Sequence, residues 1–262
     1  MVNIAPRTPE AVRAPASYKI SSGRIPRPQR VILFGPGGVG KTTLASLAPE
    51  PLVLDIDKGS SHLSVPRVEG IETWEHLRAA LSDRALLEPF KTIIVDSGTK
   101  AEEYALAWTL ANIPHEKGQL VQRVENYGFG KGLQHLFDTF LLLLADMDRL
   151  IDSGKNVVLV CHECVNDAPN PQGEDFQRYE PRLQSPKSGK ASIRDRVFEW
   201  ADWVGYVAYD VVSQDGKARG NGTRTVYFDA RPTWRAKGRG DSAKVIPWND
   251  RANGKEVWSC LS

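Results

Sequence analysis

Residues 30–48 read RVILFGPGGVGKTTLASLA, and the reading of this stretch decides the fold. Arg30 to Phe34 form a short apolar run ending in glycine, the pattern of a buried strand. Gly35, Pro36, Gly37, Gly38, Val39, Gly40, Lys41 and Thr42 match G-x-x-x-x-G-K-[ST], and Thr43 leads into helix-forming residues up to 48. Strand, glycine turn and helix in that order build an anion site. Glycines let successive backbone N–H groups wrap a phosphate, and the helix N-terminus adds a favourable dipole. Lys41 is placed to reach the β- and γ-phosphates and the Thr42 hydroxyl to ligate Mg²⁺. Taken alone, the stretch from Gly35 to Thr43 implies ATP or GTP with Mg²⁺ and leaves open what the nucleotide is used for.

Working outward, PLVLDID (51–57), KTIIVDS (91–97) and NVVLVCHE (156–163) are further apolar runs that end in polar residues. Between them lie helical patterns. The first spans 73–83, with Thr73 as cap and Trp74, Leu77, Ala80 and Leu81 on one face; the others span 98–112 and about 131–152. Strands alternating with helices imply βαβ units and a parallel sheet. DWVGYVAYDVV (202–212) and TRTVYFDA (223–230) sit close together and add an antiparallel edge after a helix from about Ser192. Ligands gather at the carboxyl ends of strands in such sheets, and three of those ends carry Asp57, Asp96 and His162.

Each of these residues has a role open to it. Asp96 closes an apolar strand of the Walker B form and, with Thr42, makes the expected Mg²⁺ set. Ser97 follows where ring-forming AAA+ motors usually place a catalytic Glu, so the base must come from elsewhere. Asp57, with Asp55 as the weaker alternative, is placed to orient an attacking water; the plainer reading is a cap on the turn at Lys58-Gly59. His162 is placed to sense the γ-phosphate through a hydrogen bond, or is simply structural. Cys161 and Cys164 form a CxxC with no second pair, which argues against a metal site. In RPTWRAKGRG (231–240), Lys237 or Arg239 is a candidate finger for a neighbour's nucleotide site, against the plainer reading of a solvated loop. Tyr127, Phe129 and Lys131 in NYGFGKG, and Arg178, Arg182, Lys187 and Lys190 in the segment 176–196, combine aromatics with cations in the manner of single-strand contacts.

The bulk composition narrows the classes further. With 262 residues and a net charge of +2, the chain is no polycation, so nucleic-acid contact must come from local patches. Three cysteines and no secretory leader fit a reducing cytosol. No apolar run reaches the roughly 20 residues that span a bilayer. FLLLLA (140–145) reads as one face of a helix. The organisation expected is a Pro- and Arg-rich extended arm over 1–28, a nucleotide-binding core over 29–245 and a tail over 246–262.

The order GPGGVGKTT, LDID, IIVDS, YGFGKG, VVLVCHE and RAKGR, over roughly residues 28–245, resembles the RecA-like ATPases carried by many bacteriophages. These are minimal RecA-core proteins, some acting in single-strand annealing and recombination. The resemblance implies an α/β RecA-like P-loop NTPase: a mostly parallel sheet flanked by helices, with an antiparallel extension at the C-terminal edge. It implies an ATPase that binds single-stranded DNA, assembles as a ring or filament and hydrolyses ATP at subunit interfaces. A single-strand binding protein is a further partner, and the bacterial host cytoplasm the location, with no membrane. It assigns the catalytic carboxylate to Asp57 (usually Glu in RecA itself), the polar sensor to His162, the residues acting across the interface to Lys237 and Arg239, and a DNA-facing loop to 165–190. Two other readings compete. One is a small-molecule kinase with 176–196 as its lid. The other is a loader-type switch, although partition ATPases carry a lysine where this chain has Pro36.

Overall fold

A computed structural model of the chain describes residues 20–23, 25–187, 190–214, 217–239, 244–249 and 251–261. The expected arm therefore lies outside the described residues as far as 19. The strands are β1 (Arg30–Gly35), β2 (Pro51–Asp55), β3 (Arg67–Val68), β4 (Thr92–Asp96), β5 (Asn156–Ala168), β6 (Phe176–Pro181), β7 (Trp203–Gln214), β8 (Lys217–Tyr227) and β9 (Val245–Pro247). The helices are α1 (Lys41–Ala45), α2 (Trp74–Ser82), α3 (Arg84–Leu87), α4 (Gly98–Asn112), α5 (Lys131–Asp152), α6 (Ile193–Trp200) and α7 (Arg251–Ser259). None of the described helices is long and apolar enough to cross a membrane.

The main sheet runs β3-β2-β4-β5-β1-β7-β8-β9. The first six strands in this order are parallel, and β8 and β9 add the antiparallel edge. Both faces are covered, which is why the parallel strands are apolar throughout rather than alternating. In β1, Ile32 and Phe34 face one core with α2, α4, α5 and α6, whereas Val31 and Leu33 face a second core with α1 and α7. The expected face of α2 holds: Trp74, Leu77 and Leu81 are buried, Ala80 packs alongside, and the Thr73 hydroxyl accepts from the His76 N–H. In α5, Phe140, Leu143 and Leu144 are buried while Leu142 turns outward, as a helix crossing of FLLLLA requires.

Two stretches differ from the sequence reading. The segment expected as a loop over 165–190 is largely a hairpin: β5 runs on to Ala168 and β6 returns antiparallel, pairing Val165 with Tyr179 and Asn166 with Arg178. An Asx turn closes it, with the Asn170 carboxamide oxygen accepting from the Gln172 N–H at 3.1 Å. Its ladder mixes polar and apolar residues on each face, which is why apolar periodicity did not reveal it. Residues 246–262, read as a tail, carry the end of β9 and α7. There Trp248 and Trp258 are buried in the second core, and the Trp258 indole N–H donates to the Leu44 carbonyl at 2.9 Å.

Candidate nucleotide-binding and hydrolysis site

The loop after β1 takes the conformation its glycines permit. Gly38 and Gly40 sit at φ 75° and 95°, in the left-handed region that a side chain disfavours. At Gly40 there is also no room: a Cβ would lie 2.6 Å from Nη1 of Arg224 and 3.0 Å from Trp248. Arg224 stacks on Trp248 at 4.6 Å and donates to the Val39 carbonyl, and the Tyr209 hydroxyl donates to the Gly38 carbonyl at 2.8 Å. The loop is thus braced by β7, β8 and the residue after β9. Lys41 is buried, and its ammonium donates to the carbonyls of Gly35 (2.9 Å) and Pro36 (2.8 Å). Desolvation draws its pKa below the ordinary lysine value, against the raising influence of Asp96, Glu163 and Asp57.

Asp96 ends β4, one strand removed from β1, with β5 between them. The Thr42 hydroxyl donates to its Oδ2 at 2.6 Å, so the first turn of α1 and the end of β4 meet there. Burial pushes the Asp96 carboxyl up to about 6, with Asp57 and Asp55 adding to the rise and Thr42 and Lys41 opposing it. Thr42 and Asp96 give a hydroxyl and a carboxylate side by side, the hard-oxygen set that Mg²⁺ takes beside phosphate. Together with the N–H-rich loop above α1, the residues present fit a nucleotide with Mg²⁺.

Asp57 lies just past β2, where its N–H donates to the Asp96 carbonyl at 3.0 Å. Its Oδ2 is 3.3 Å from Nε2 of His162. Desolvation raises its pKa, but the hydrogen bonds from His162 and Ser97 and the charge of Lys100 outweigh it, leaving Asp57 below the usual carboxylate range. An ionised Asp57 can only accept, so Nε2 of His162 carries the proton between them. Asp55 has another task. It is buried, and its oxygens accept from the N–H groups of Gly59 and Ser60 (both 3.0 Å) and the Ser60 hydroxyl (2.6 Å), which shapes the turn after β2. Ser97, in the place of the AAA+ glutamate, caps α4 by accepting from the Lys100 N–H.

The structure brings Lys41, Thr42, Asp57, Asp96 and His162 to one edge of the sheet and sends the other candidates elsewhere. Lys237 pairs with Val204 near the start of β7, at the opposite end of the sheet from the loop. Its ammonium donates to the carbonyls of Phe198 (3.1 Å), Glu199 (3.1 Å) and Ala201 (2.6 Å), capping the C-terminus of α6. Arg239 lies at the same end, half-exposed and 3.1 Å from the buried Asp202. Tyr127 is a correction to the expected stacking role: it is buried, and its hydroxyl donates to carbonyls of Thr109 and Ile113, tying the turn before α5 to α4. Phe129 is fully exposed at φ 47° between two glycines, and Lys131 pairs with Glu116. Arg178 is also taken up within the chain, 2.6 Å from the buried Glu180, which Arg194 holds at 2.6 Å as well. Arg182, Lys187 and Lys190 are exposed. Cys161 is buried and burial pushes its thiol far up, while Cys164 points at the carbonyls of Glu180 and Pro181; the two do not form a chelating pair.

Glu163 and Thr99 went unread in the sequence. Glu163 follows His162 in VCHE, and a second polar residue at a strand end was the available signal. The Thr99 hydroxyl accepts from the His162 N–H at 3.1 Å and donates to the Arg182 carbonyl at 3.2 Å, a bridge that no local pattern announces.

A phosphate loop on the first strand of a parallel sheet, a hydroxyl–carboxylate pair for Mg²⁺ and polar groups on the neighbouring strand ends define a P-loop ATPase. The chain belongs to the AAA domain family AAA_24, which matches residues 27–240. No curated protein matches it. Among solved structures it is similar to the flagellar accessory protein FlaH from Methanocaldococcus jannaschii, at 14% identity over 86% of each chain and a TM-score of 0.39. It is also similar to the KaiC-like protein PH0186 from Pyrococcus horikoshii OT3, at 13% identity over 77% of this chain and 78% of that one, with a TM-score of 0.38.

Proposed function

We propose that this protein hydrolyses ATP at the contacts between subunits of a ring or filament and couples hydrolysis to single-stranded DNA in annealing or recombination. The loop from Gly35 to Thr43 binds the triphosphate, with Lys41 leaving its two carbonyls for the β- and γ-phosphates. Thr42 and Asp96 would hold Mg²⁺, which would supply positive charge beside the phosphates. Asp57 fixes the His162 ring so that its imidazole faces the terminal phosphate from β5.

The observation that carries the coupling is the bridge from His162 to Arg182. The Arg182 N–H donates to the His162 carbonyl at 2.8 Å, and Thr99 joins the same two residues through its hydroxyl. Any shift of His162 on phosphate binding is therefore passed to the exposed segment bearing Arg182, Lys187 and Lys190. Cations in such a segment suit a phosphate backbone. Of the two residues suggested to act on a neighbour, Arg239 is the better candidate, because Lys237 already caps α6. ATPase rates with and without single-stranded DNA, read beside mass in solution, test the reading. Stimulation by DNA in an ATP-dependent assembly supports it, and full activity of a dilute monomer indifferent to DNA would sink it.

A further inference from the structure

The proton released when water attacks a phosphate needs an acceptor, and Asp57 is poorly suited. Its carboxylate is committed to His162 and Ser97, and those bonds hold its basicity down. A second carboxylate lies at the same edge. Glu163 is one residue beyond the point where Gly35 of β1 pairs with His162 of β5, beside the carbonyls that hold the Lys41 ammonium. Tyr206 of β7 is a neighbour that favours the ionised form of Glu163. The Glu163 Oε2 is shut off from solvent and meets no hydrogen-bond partner among the described residues. A buried carboxylate oxygen left unmatched calls for an explanation, and at a phosphate loop the substrate can supply the partner.

We infer that Glu163 orients the attacking water and accepts its proton, while Asp57 serves to hold His162. In this step the water oxygen bonds to the γ-phosphorus and the bond from that phosphorus to the bridging oxygen of ADP breaks. The proton that the water loses passes to Glu163 Oε2 and then to solvent. The surroundings suit the task. The groups facing the carboxylate are the Lys41 ammonium from α1 and the Tyr206 hydroxyl from β7. Tyr206 is itself locked in a stack with Phe34 (5.1 Å), Tyr179 (5.4 Å) and Trp234 (5.5 Å), so its hydroxyl cannot follow a wandering carboxylate. Burial raises the Glu163 pKa above the ordinary value, with Tyr206 and Lys41 opposing, and a stronger base closer to neutrality is the better proton acceptor.

This inference rests on the ATPase reading, and one set of measurements separates the two. Binding of a fluorescent ATP analogue and the pH profile of kcat are compared for the wild-type protein, Glu163→Gln, Asp57→Asn and Tyr206→Phe. Wild-type kcat should rise with pH along a limb lying above the ordinary glutamate value of about 4.3. Glu163→Gln should bind the analogue within about threefold of wild type, lose roughly 100-fold or more in kcat and lose the limb. Asp57→Asn should keep the limb. Tyr206→Phe should move the limb to higher pH, because a neighbour that favours the ionised carboxylate is gone. Near-wild-type turnover in Glu163→Gln, or loss of the limb in Asp57→Asn alone, overturns the inference. A wild-type protein that binds no ATP overturns the nucleotide reading beneath it instead. Should Glu163→Gln melt early, Glu163→Asp takes its place: slowed turnover with the limb retained supports the role, and unchanged turnover overturns it.

Discussion

Gly40 shows how a single residue is constrained from two directions. Its φ of 95° disfavours any side chain, and Arg224 and Trp248 fill the space a Cβ would need. Gly40→Ala should therefore abolish ATP-analogue binding, measurable by fluorescence titration. Glu102 offers a second case, away from the chemistry. Burial pushes its carboxyl up to about 7, while the Gln184 N–H, Arg194 and Arg182 oppose the rise. A carboxyl whose folded pKa lies above its unfolded value of 4.5 contributes stability that is complete below that value. That contribution is lost as pH rises to about 7 and is absent above it. Glu102→Gln should flatten this slope, leaving the variant more stable than wild type at pH 8 by at most ~3 kcal/mol and level with it in acid. Thermal melts across the pH range give the answer directly.

At the scale of elements, the ends of helices account for residues that look functional in isolation. Lys237 meets three carbonyls at the end of α6, so Lys237→Ala should cost about 1–2 kcal/mol of stability in urea unfolding, whatever it does to hydrolysis. The short bridge made by Thr99 between β5 and the segment after β6 has the opposite character, little exposed area and a position between two candidate sites. Thr99→Val keeps the shape and removes both hydrogen bonds. It should weaken the stimulation of ATPase by single-stranded DNA at least severalfold more than it weakens the unstimulated rate, and equal losses in both would count against coupling through this bridge.

For the molecule as a whole, the two ends of the sheet divide the labour. The carboxyl ends carry the loop, Asp96, Asp57 and His162, and the amino ends carry Lys237 and Arg239. In the assembly proposed above, a head-to-tail contact would join one end to the other and complete each site from two subunits. Lys41→Ala and Arg239→Ala should each be inactive alone. Mixed in equal amounts, they should recover about a quarter of wild-type ATPase, the share of contacts that pair an intact loop with an intact arginine. No recovery on mixing would show that Arg239 serves no neighbouring site.

How much of this was legible beforehand followed the range of the interactions. Nearest-neighbour pattern was enough for β1, its loop, the cap of α2, the span of α5 and the strand ends that bear Asp57, Asp96 and His162, because chain order and strand direction bring those ends together. The β5–β6 hairpin was hidden because its paired stretch mixes polar and apolar residues on each face and announces no period. Tyr127, set among glycines, read as a presented ring, yet its hydroxyl finds two carbonyls of α4 that are distant in sequence. The same holds for the bracing of the loop by Tyr209, Arg224 and Trp248, and for the Glu163 oxygen that has no partner among the described residues. The sequence by itself determined a phosphate site on a parallel sheet, since that needs only local periodicity and a glycine turn. Only the tertiary structure decided which polar groups are already satisfied within the chain and which are left open to a substrate, since hydrogen bonds between distant segments leave no mark on local pattern.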